Sequence, residues 1–386
     1  MSRVATASAS ARVRRRTAFE LACWDFPDSR GGRELHPYPA RFIPQIPRQA
    51  LELLAPDGPV LDPFCGSGTT LAEARRRGLA STGVDLNPIA CLISRVRVQR
   101  WEPHDAAESM RHARALHRAA LEADDAGPLA SAIPRVDHWF DPWAQLGLAG
   151  AISYLDDVED PIWRDRLATA ISSVVVRVSK QESDTRYAAV EKRGDREHVA
   201  LELGQAVVRV CEWLAANTTG YAEAPVEVLR RDALDLRPLR RHSFAAAIFS
   251  PPYPNAYEYW LYHKYRMYWL GFDPLSVRSA ELGARPHYCK PNGLVAADFE
   301  AQMSTLFDQL RHALAPAAPV VVVVGDSTIR GEHVDNAALL ERAARASGFG
   351  LEAHARRAIR AGRSSFNRAH SRGRRSEHLL LLQAPS

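Results

Sequence analysis

Cysteine is scarce and unpatterned in this chain. The five present, Cys23, Cys65, Cys91, Cys211 and Cys289, are odd in number, far apart, and fall in no Cys-x-x-Cys or Cys/His ligand spacing. That argues against structural zinc and against a disulfide scaffold, so no metal site is expected and a reducing, cytoplasmic setting is. No apolar run approaches the length of a membrane span, which leaves the membrane out as a partner. The Ala/Ser/Arg-rich start, Met1 to Thr17 with Arg14-Arg15-Arg16, lacks the apolar core of a secretory signal. Residues 1–32 are therefore expected to be a disordered basic arm. Internal repeats and long low-complexity segments are also missing, so a solenoid is not indicated.

What is present is an ordinary globular balance: 386 residues, 46% hydrophobic, 25% charged, formal net charge +5. The length suits one large domain or two ordinary ones. The positive balance favours a polyanionic partner without establishing one.

The chain is organised around Pro59-Val60-Leu61-Asp62-Pro63-Phe64-Cys65-Gly66-Ser67-Gly68-Thr69-Thr70 and the later Gly83-Val84-Asp85-Leu86-Asn87-Pro88. A short apolar run ends in an acid, turns through Gly-Ser-Gly and enters helical composition, which reads as strand, turn and helix. A second strand, Ala80 to Val84, ends in Asp85, where a doubly wound sheet places the acid that grips a ribose diol. No Lys follows the glycines, so a triphosphate-binding loop is not indicated. Asp62 would repel a pyrophosphate but can hold an ammonium through a backbone or water network. That combination points to S-adenosylmethionine.

At these residues the chain resembles the DNA amino-methyltransferases, whose cofactor motif is similar to Asp62 to Thr70 over all nine positions. The resemblance implies a Rossmann-like, seven-stranded methyltransferase sheet of the α/β class. It implies S-adenosylmethionine contacts from Asp62, Phe64, Cys65, Gly66, Ser67, Gly68, Thr69, Asp85 and Leu86. It also implies that Leu35-His36-Pro37-Tyr38-Pro39-Ala40-Arg41-Phe42 closes over the methionine end of the cofactor, with Arg41 and Phe42 as contacts. Read from its residues alone, that segment is an extended arm packed on the sheet by Tyr38 and Phe42.

From about Trp101 to Gly220 amphipathic helical patterns replace strands. Trp163, Leu167, Ile171, Val174, Val175 and Val178 share one face, as do Leu203, Val207, Val210, Cys211 and Leu214. Residues 101–220 are expected to be a helical insert and the candidate target-recognition region, with 33–100 and 221–386 forming the sheet domain. Between its helices, Ser179 to Tyr187 is a polar stretch that reads as a solvated loop or as one facing nucleic acid, through Lys180 and Arg186.

The sheet resumes with Val226 to Leu229, and Asp232 follows where an acid suits the cofactor's adenine amino group. Further strands are expected at Phe244 to Phe249, Pro319 to Val324, Gly350 to Ala353 and His378 to Leu382. The last two form an antiparallel pair in this kind of sheet. The strand at Phe249 runs into Ser250-Pro251-Pro252-Tyr253. Two consecutive prolines fix the turn and remove two N–H donors, leaving carbonyl oxygens to face the crevice. Ser250 and the Pro251 carbonyl can then accept the two hydrogens of an exocyclic amino group, and Tyr253 can stack on a flipped base. A buried rigid turn is the plainer reading. By resemblance, a Ser in the first position leans toward cytosine N4 over adenine N6. No Pro-Cys occurs as a cytosine C5 enzyme requires, and Cys65 is expected to be inert.

Between Glu352 and Glu377 stand eight arginines and no acid: Arg356, Arg357, Arg360, Arg363, Arg368, Arg372, Arg374 and Arg375. Placed between the last two strands, they suit phosphate contacts, with Arg363, Arg368, Arg372 and Arg374 as candidates. The expectation is a cytosine-N4 methyltransferase acting on double-stranded DNA, with a restriction or defence component as a possible companion. An adenine-N6 enzyme, an RNA base methyltransferase and a non-catalytic scaffold stay open. The cofactor motif precedes the target motif, so by resemblance the chain is circularly rearranged.

Overall fold

The computed structural model describes residues 2–26, 34–39, 42–254, 257–359 and 375–386. Seven strands form one sheet: β1 Val60–Asp62, β2 Ser81–Asp85, β3 Val226–Arg230, β4 Ala246–Phe249, β5 Pro319–Gly325, β6 Gly350–Ile359 and β7 Arg375–Gln383. Their spatial order is β6-β7-β5-β4-β1-β2-β3. The five from β5 to β3 are parallel, whereas β7 runs antiparallel to both β5 and β6. Strand order reverses between β1 and β4, which is where a doubly wound sheet opens its ligand crevice, beyond the strands' carboxyl ends.

The central strands are near-continuous apolar runs because both their faces are covered. In β5, Val321 and Val323 join a cluster with Phe19, Trp24, Ile46 and Leu51. Val320, Val322 and Val324 join another with Phe299, Phe307 and Leu340. The two-residue period of a strand divides one valine run between two layers.

Four long helices, Asp105–Glu122, Pro142–Asp156, Pro161–Val178 and Arg196–Thr218, fill the stretch between β2 and β3. The apolar faces read from the sequence there are buried and share a core with Ile89 and Ile93 of the helix Pro88–Arg97. The polar stretch after Val178 is not a loop: Gln181–Ser183 and Arg186–Ala189 pair as a short antiparallel hairpin. Its Asp184 bonds to Arg266, a fully buried guanidinium that also donates to the carbonyls of Ser172 and Tyr262.

Two further expectations need correction. The start of the chain is not a disordered arm throughout, since Ser2–Leu21 is helical. Phe19 is fully buried, Trp24 donates its indole N–H to the Phe19 carbonyl, and Arg12 and Arg15 pair with the buried Glu352. Two aromatic anchors and a paired carboxylate outweigh the disorder that the composition suggests. Strand β4 also begins at Ala246 and not Phe244, because Phe244 makes only an isolated bridge to Leu314.

Candidate active site

The glycine turn is built by backbone geometry that only glycine takes cheaply. Gly68, at the N-cap of the helix Thr69–Arg76, has φ +80°, and a Cβ there would stand 2.9 Å from the Ser94 Cα. Gly66 has φ +51°, and its missing Cβ leaves room for the Tyr38 hydroxyl, 3.3 Å from where that atom would be. Ser94 Oγ donates to the Gly66 carbonyl at 2.8 Å, fixing the turn from the next helix. The Asp85 carboxylate accepts the Gly66 N–H at 2.9 Å and the Asn87 N–H at 2.8 Å. Asp62 accepts the Phe64 N–H at 3.0 Å.

Burial leaves these acids short of solvation. It pushes Asp62 up to about 7, with the charge of Asp85 adding to the rise while bonds from Thr70 and Phe64 oppose it. Asp85 is raised to about 6 by the same cause, against the N–H donors of Asn87, Gly66 and Leu86. A third carboxylate, Glu281, is raised to about 8 by burial, opposed by the N–H groups of Trp260 and Tyr259 and increased by Asp85. Three like charges in one buried neighbourhood favour a cation. Cys65 lies inside the turn, where burial raises its thiol far above the ordinary range and disfavours the thiolate.

His36 is buried and held down to about 3, first by desolvation and then by the Arg266 charge. Its Nδ1–H donates to the Pro37 carbonyl at 2.7 Å, and its Nε2 accepts from Ser172 at 2.9 Å. That pair of bonds anchors the proline-punctuated segment, and so Tyr38, over the glycine turn.

Strand β4 lies beside β1, and its end delivers Ser250, Pro251, Pro252 and Tyr253 to the same crevice. Pro251 is buried, whereas Ser250, Pro252 and Tyr253 are half-buried. The Tyr253 hydroxyl lies 3.2 Å from where a Cβ on Gly325, at the end of β5, would stand. Phe64 and Phe249 are 6.0 Å apart across the β1–β4 junction, and Tyr38 and Tyr259 are 5.8 Å apart between the two motifs. Asp232 caps its own turn by accepting the Leu234 N–H at 2.9 Å, and the preceding Arg231 donates its N–H to the Asp85 carbonyl at 3.0 Å. Leu86 packs against the core shared with the insert.

Other candidates sit elsewhere. Phe42 is half-buried against the cluster that contains Phe19, Trp24, Ile46 and Val60. Lys180 is bonded to Asp141 at 2.9 Å and lies 3.6 Å from Glu191, and Arg186 is paired with Glu182 at 2.5 Å, so both charges are matched within the insert. Arg41, Arg363, Arg368, Arg372 and Arg374 lie outside the described residues. The strands that flank the last four reach past the sheet: Glu377 pairs with Gly325 at the end of β5, while Ala358↔Ser376 and Ile359↔Arg375 continue beyond it on the crevice side. Arg357 pairs with Glu377 at 3.4 Å.

Sequence reasoning missed Glu281, Asn87 and Ser94. Asn87 carries the ordinary cap signal ahead of Pro88, and its side chain accepts the Ile89 N–H. Glu281 has no local signal, because its partners are on another helix.

Comparison with known proteins points to one family over part of the chain. Residues 8–95 match the family model described as DNA methylase. The type II methyltransferase M.MjaII of Methanocaldococcus jannaschii is 41% identical over 69 residues, 18% of this chain and 13% of that protein. The type II methyltransferase M.MvaI of Kocuria varians is 30% identical over 113 residues, 27% of this chain and 25% of that protein. The chain thus spans a quarter or less of these relatives' length. Among solved structures, a SAM-dependent methyltransferase from Methanosarcina mazei overlaps 85% of this chain and 93% of its own, at 11% identity and a TM-score of 0.32, too low to rest an argument on.

Proposed function

We propose that this protein is a DNA amino-methyltransferase that uses S-adenosylmethionine and methylates the N4 nitrogen of cytosine in duplex DNA. The observation that carries the reading is the meeting, at the β1–β4 reversal, of an acid-bordered glycine turn with Ser250-Pro251-Pro252-Tyr253. The similarity of residues 8–95 to DNA methylases supports the same reaction class.

The residues present fit the cofactor. Gly66 and Gly68 let the turn fold tightly against Tyr38 and Ser94, and the buried carboxylates of Asp62 and Asp85 suit a cationic ligand better than a phosphate. Both Asp85 oxygens already take N–H groups, and the carboxylate keeps lone-pair capacity for a ribose hydroxyl. Asp232 stands next for the adenine amino group, and the segment anchored by His36 covers the methionine end. Bound there, S-adenosylmethionine supplies a methyl group carried on a positively charged sulfur.

An exocyclic amino group is a poor nucleophile because its lone pair is delocalised into the ring. Ser250 Oγ and the Pro251 carbonyl accept its two hydrogens, which draws the nitrogen toward a tetrahedral shape and turns the lone pair toward the methyl. Tyr253 holds the flipped base by its ring face. On taking the methyl the nitrogen gives up one of its two hydrogens as a proton to solvent. Positioning and electrostatics supply the acceleration, and no covalent bond to the protein is needed. Transfer of labelled methyl to mixed-sequence duplex DNA tests the reading, with an RNA transcript of the same sequence in parallel. Transfer to DNA and its loss in Ser250→Ala are expected; equal labelling of the transcript would favour an RNA enzyme.

A further inference from the structure

The helix Tyr259–Trp269 begins shortly after the target segment, and its N-cap residue, Glu258, makes no capping bond with its own side chain. The cap comes from far away in sequence. Glu281 Oε1 accepts the Tyr259 N–H at 2.8 Å and Oε2 accepts the Trp260 N–H at 2.7 Å, with only 7% of the residue exposed. An exposed local cap would serve the helix at less cost than a buried carboxylate near Asp85.

Two residues further on, Gly283 (φ +69°) passes directly behind the target segment. A Cβ there would stand 2.8 Å from the Tyr253 carbonyl oxygen and 3.1 Å from the Pro252 carbonyl carbon. The helix start that Glu281 holds carries Tyr259, whose ring lies against Tyr38, and Tyr38 lies over Gly66. One short segment therefore touches the backbone of the target motif and, through Tyr259, the cover of the glycine turn.

We propose that Glu281 and Gly283 form the positioning element of the target site, the carboxylate holding the start of the helix and the glycine seating the Pro252–Tyr253 backbone. Tyr253 and Tyr259 are thereby fixed relative to the turn that holds the cofactor. The inference rests on the methyltransferase reading for its effect on rate, but its structural half stands apart from that reading.

The test combines Glu281→Ala, Glu281→Gln and Gly283→Ala with three measurements on the full chain: amide hydrogen exchange, S-adenosylmethionine affinity by calorimetry, and single-turnover methylation of duplex DNA. In Glu281→Ala, exchange at Tyr259 and Trp260 rises about tenfold or more, because two N–H groups lose their buried carboxyl acceptor. The single-turnover rate falls by a similar factor, while cofactor affinity stays within about threefold, the pattern of a group used mainly in the transition state. Glu281→Gln falls between, since an amide keeps one acceptor oxygen. Gly283→Ala lowers the rate but leaves exchange at Tyr259 and Trp260 as in the wild type. Unchanged exchange in Glu281→Ala overturns the proposal, as does raised exchange with an unchanged rate. A general rise in exchange with loss of cofactor affinity also overturns it, by making Glu281 a plain stability residue. If the wild type methylates no DNA, the functional reading fails, and the exchange measurements still decide whether Glu281 holds the helix.

Discussion

Gly66 donates its backbone N–H to the Asp85 carboxylate at 2.9 Å, so the acid ending β2 is bonded to the glycine turn that follows β1. Asp85 thereby holds the turn, and under the proposed function its remaining lone pairs take the cofactor's ribose hydroxyls. Asp85→Ala removes the acceptor of both the Gly66 and Asn87 N–H groups, at a cost of about 1–3 kcal/mol for each buried donor left unpaired. S-adenosylmethionine binding should weaken at least tenfold in calorimetry, since a 1.4 kcal/mol loss already gives about that factor. Unchanged affinity would reduce Asp85 to a strand-end cap.

The stability of the cofactor-free protein should fall as pH rises through neutrality. Asp62, Asp85 and Glu281 have folded-state values raised to about 7, 6 and 8. A raised acid contributes stability that is fully present below its unfolded value and is lost as pH rises through its folded value. Buried His36, depressed to about 3, works the other way, but only below its ordinary 6.5. Above 6.5 the carboxylates set the sign, so the melting temperature should drop between about pH 6.5 and 8.5, and Glu281→Gln should flatten the upper part of that drop. A melting temperature that rises over this window contradicts the like-charge cluster.

Cys65→Ala should retain methyl transfer, because its thiol is buried, strongly disfavoured as a thiolate and contacted by the Ser94 hydroxyl from the next helix. The check is a 5-fluorocytosine duplex: no covalent protein–DNA adduct is expected. A trapped adduct would mean attack through carbon and would end the amino-transfer account.

Ser250 and Tyr253 should separate in their effects. Ser250→Ala should lower the single-turnover rate while leaving DNA and cofactor affinity within a few-fold. Tyr253→Ala should also reduce the 2-aminopurine signal of base flipping, since stacking is worth roughly 1–3 kcal/mol. Tyr253→Phe should keep most of both, because the ring face makes the contact. Wild-type rates in both alanine variants would make this segment only a structural turn.

The strand, turn and helix around Asp62 and Gly68 were legible because the chemistry is local: an apolar run, an acid, and glycines at left-handed φ. The buried strand ending at Phe249 and the helical faces of the insert were legible for the same reason, as period and composition carry them. What was not legible depends on partners distant in sequence. Glu281 caps a helix that starts before it, Asp184 holds the hairpin to Arg266, and Arg15 ties the first helix to Glu352. Lys180 and Arg186 read as open cations because composition does not reveal that Asp141 and Glu182 face them.

The central claim, methyl transfer to an exocyclic amino group of DNA, is tested most directly by chemistry on the product. Duplex DNA treated with the wild-type protein and S-adenosylmethionine, then digested to nucleosides and resolved by chromatography and mass, should contain N4-methylcytosine, and Ser250→Ala should yield far less. N6-methyladenine in its place would keep the mechanism and change the target base. 5-Methylcytosine, or no methylated nucleoside at all from protein that binds the cofactor, would contradict the account.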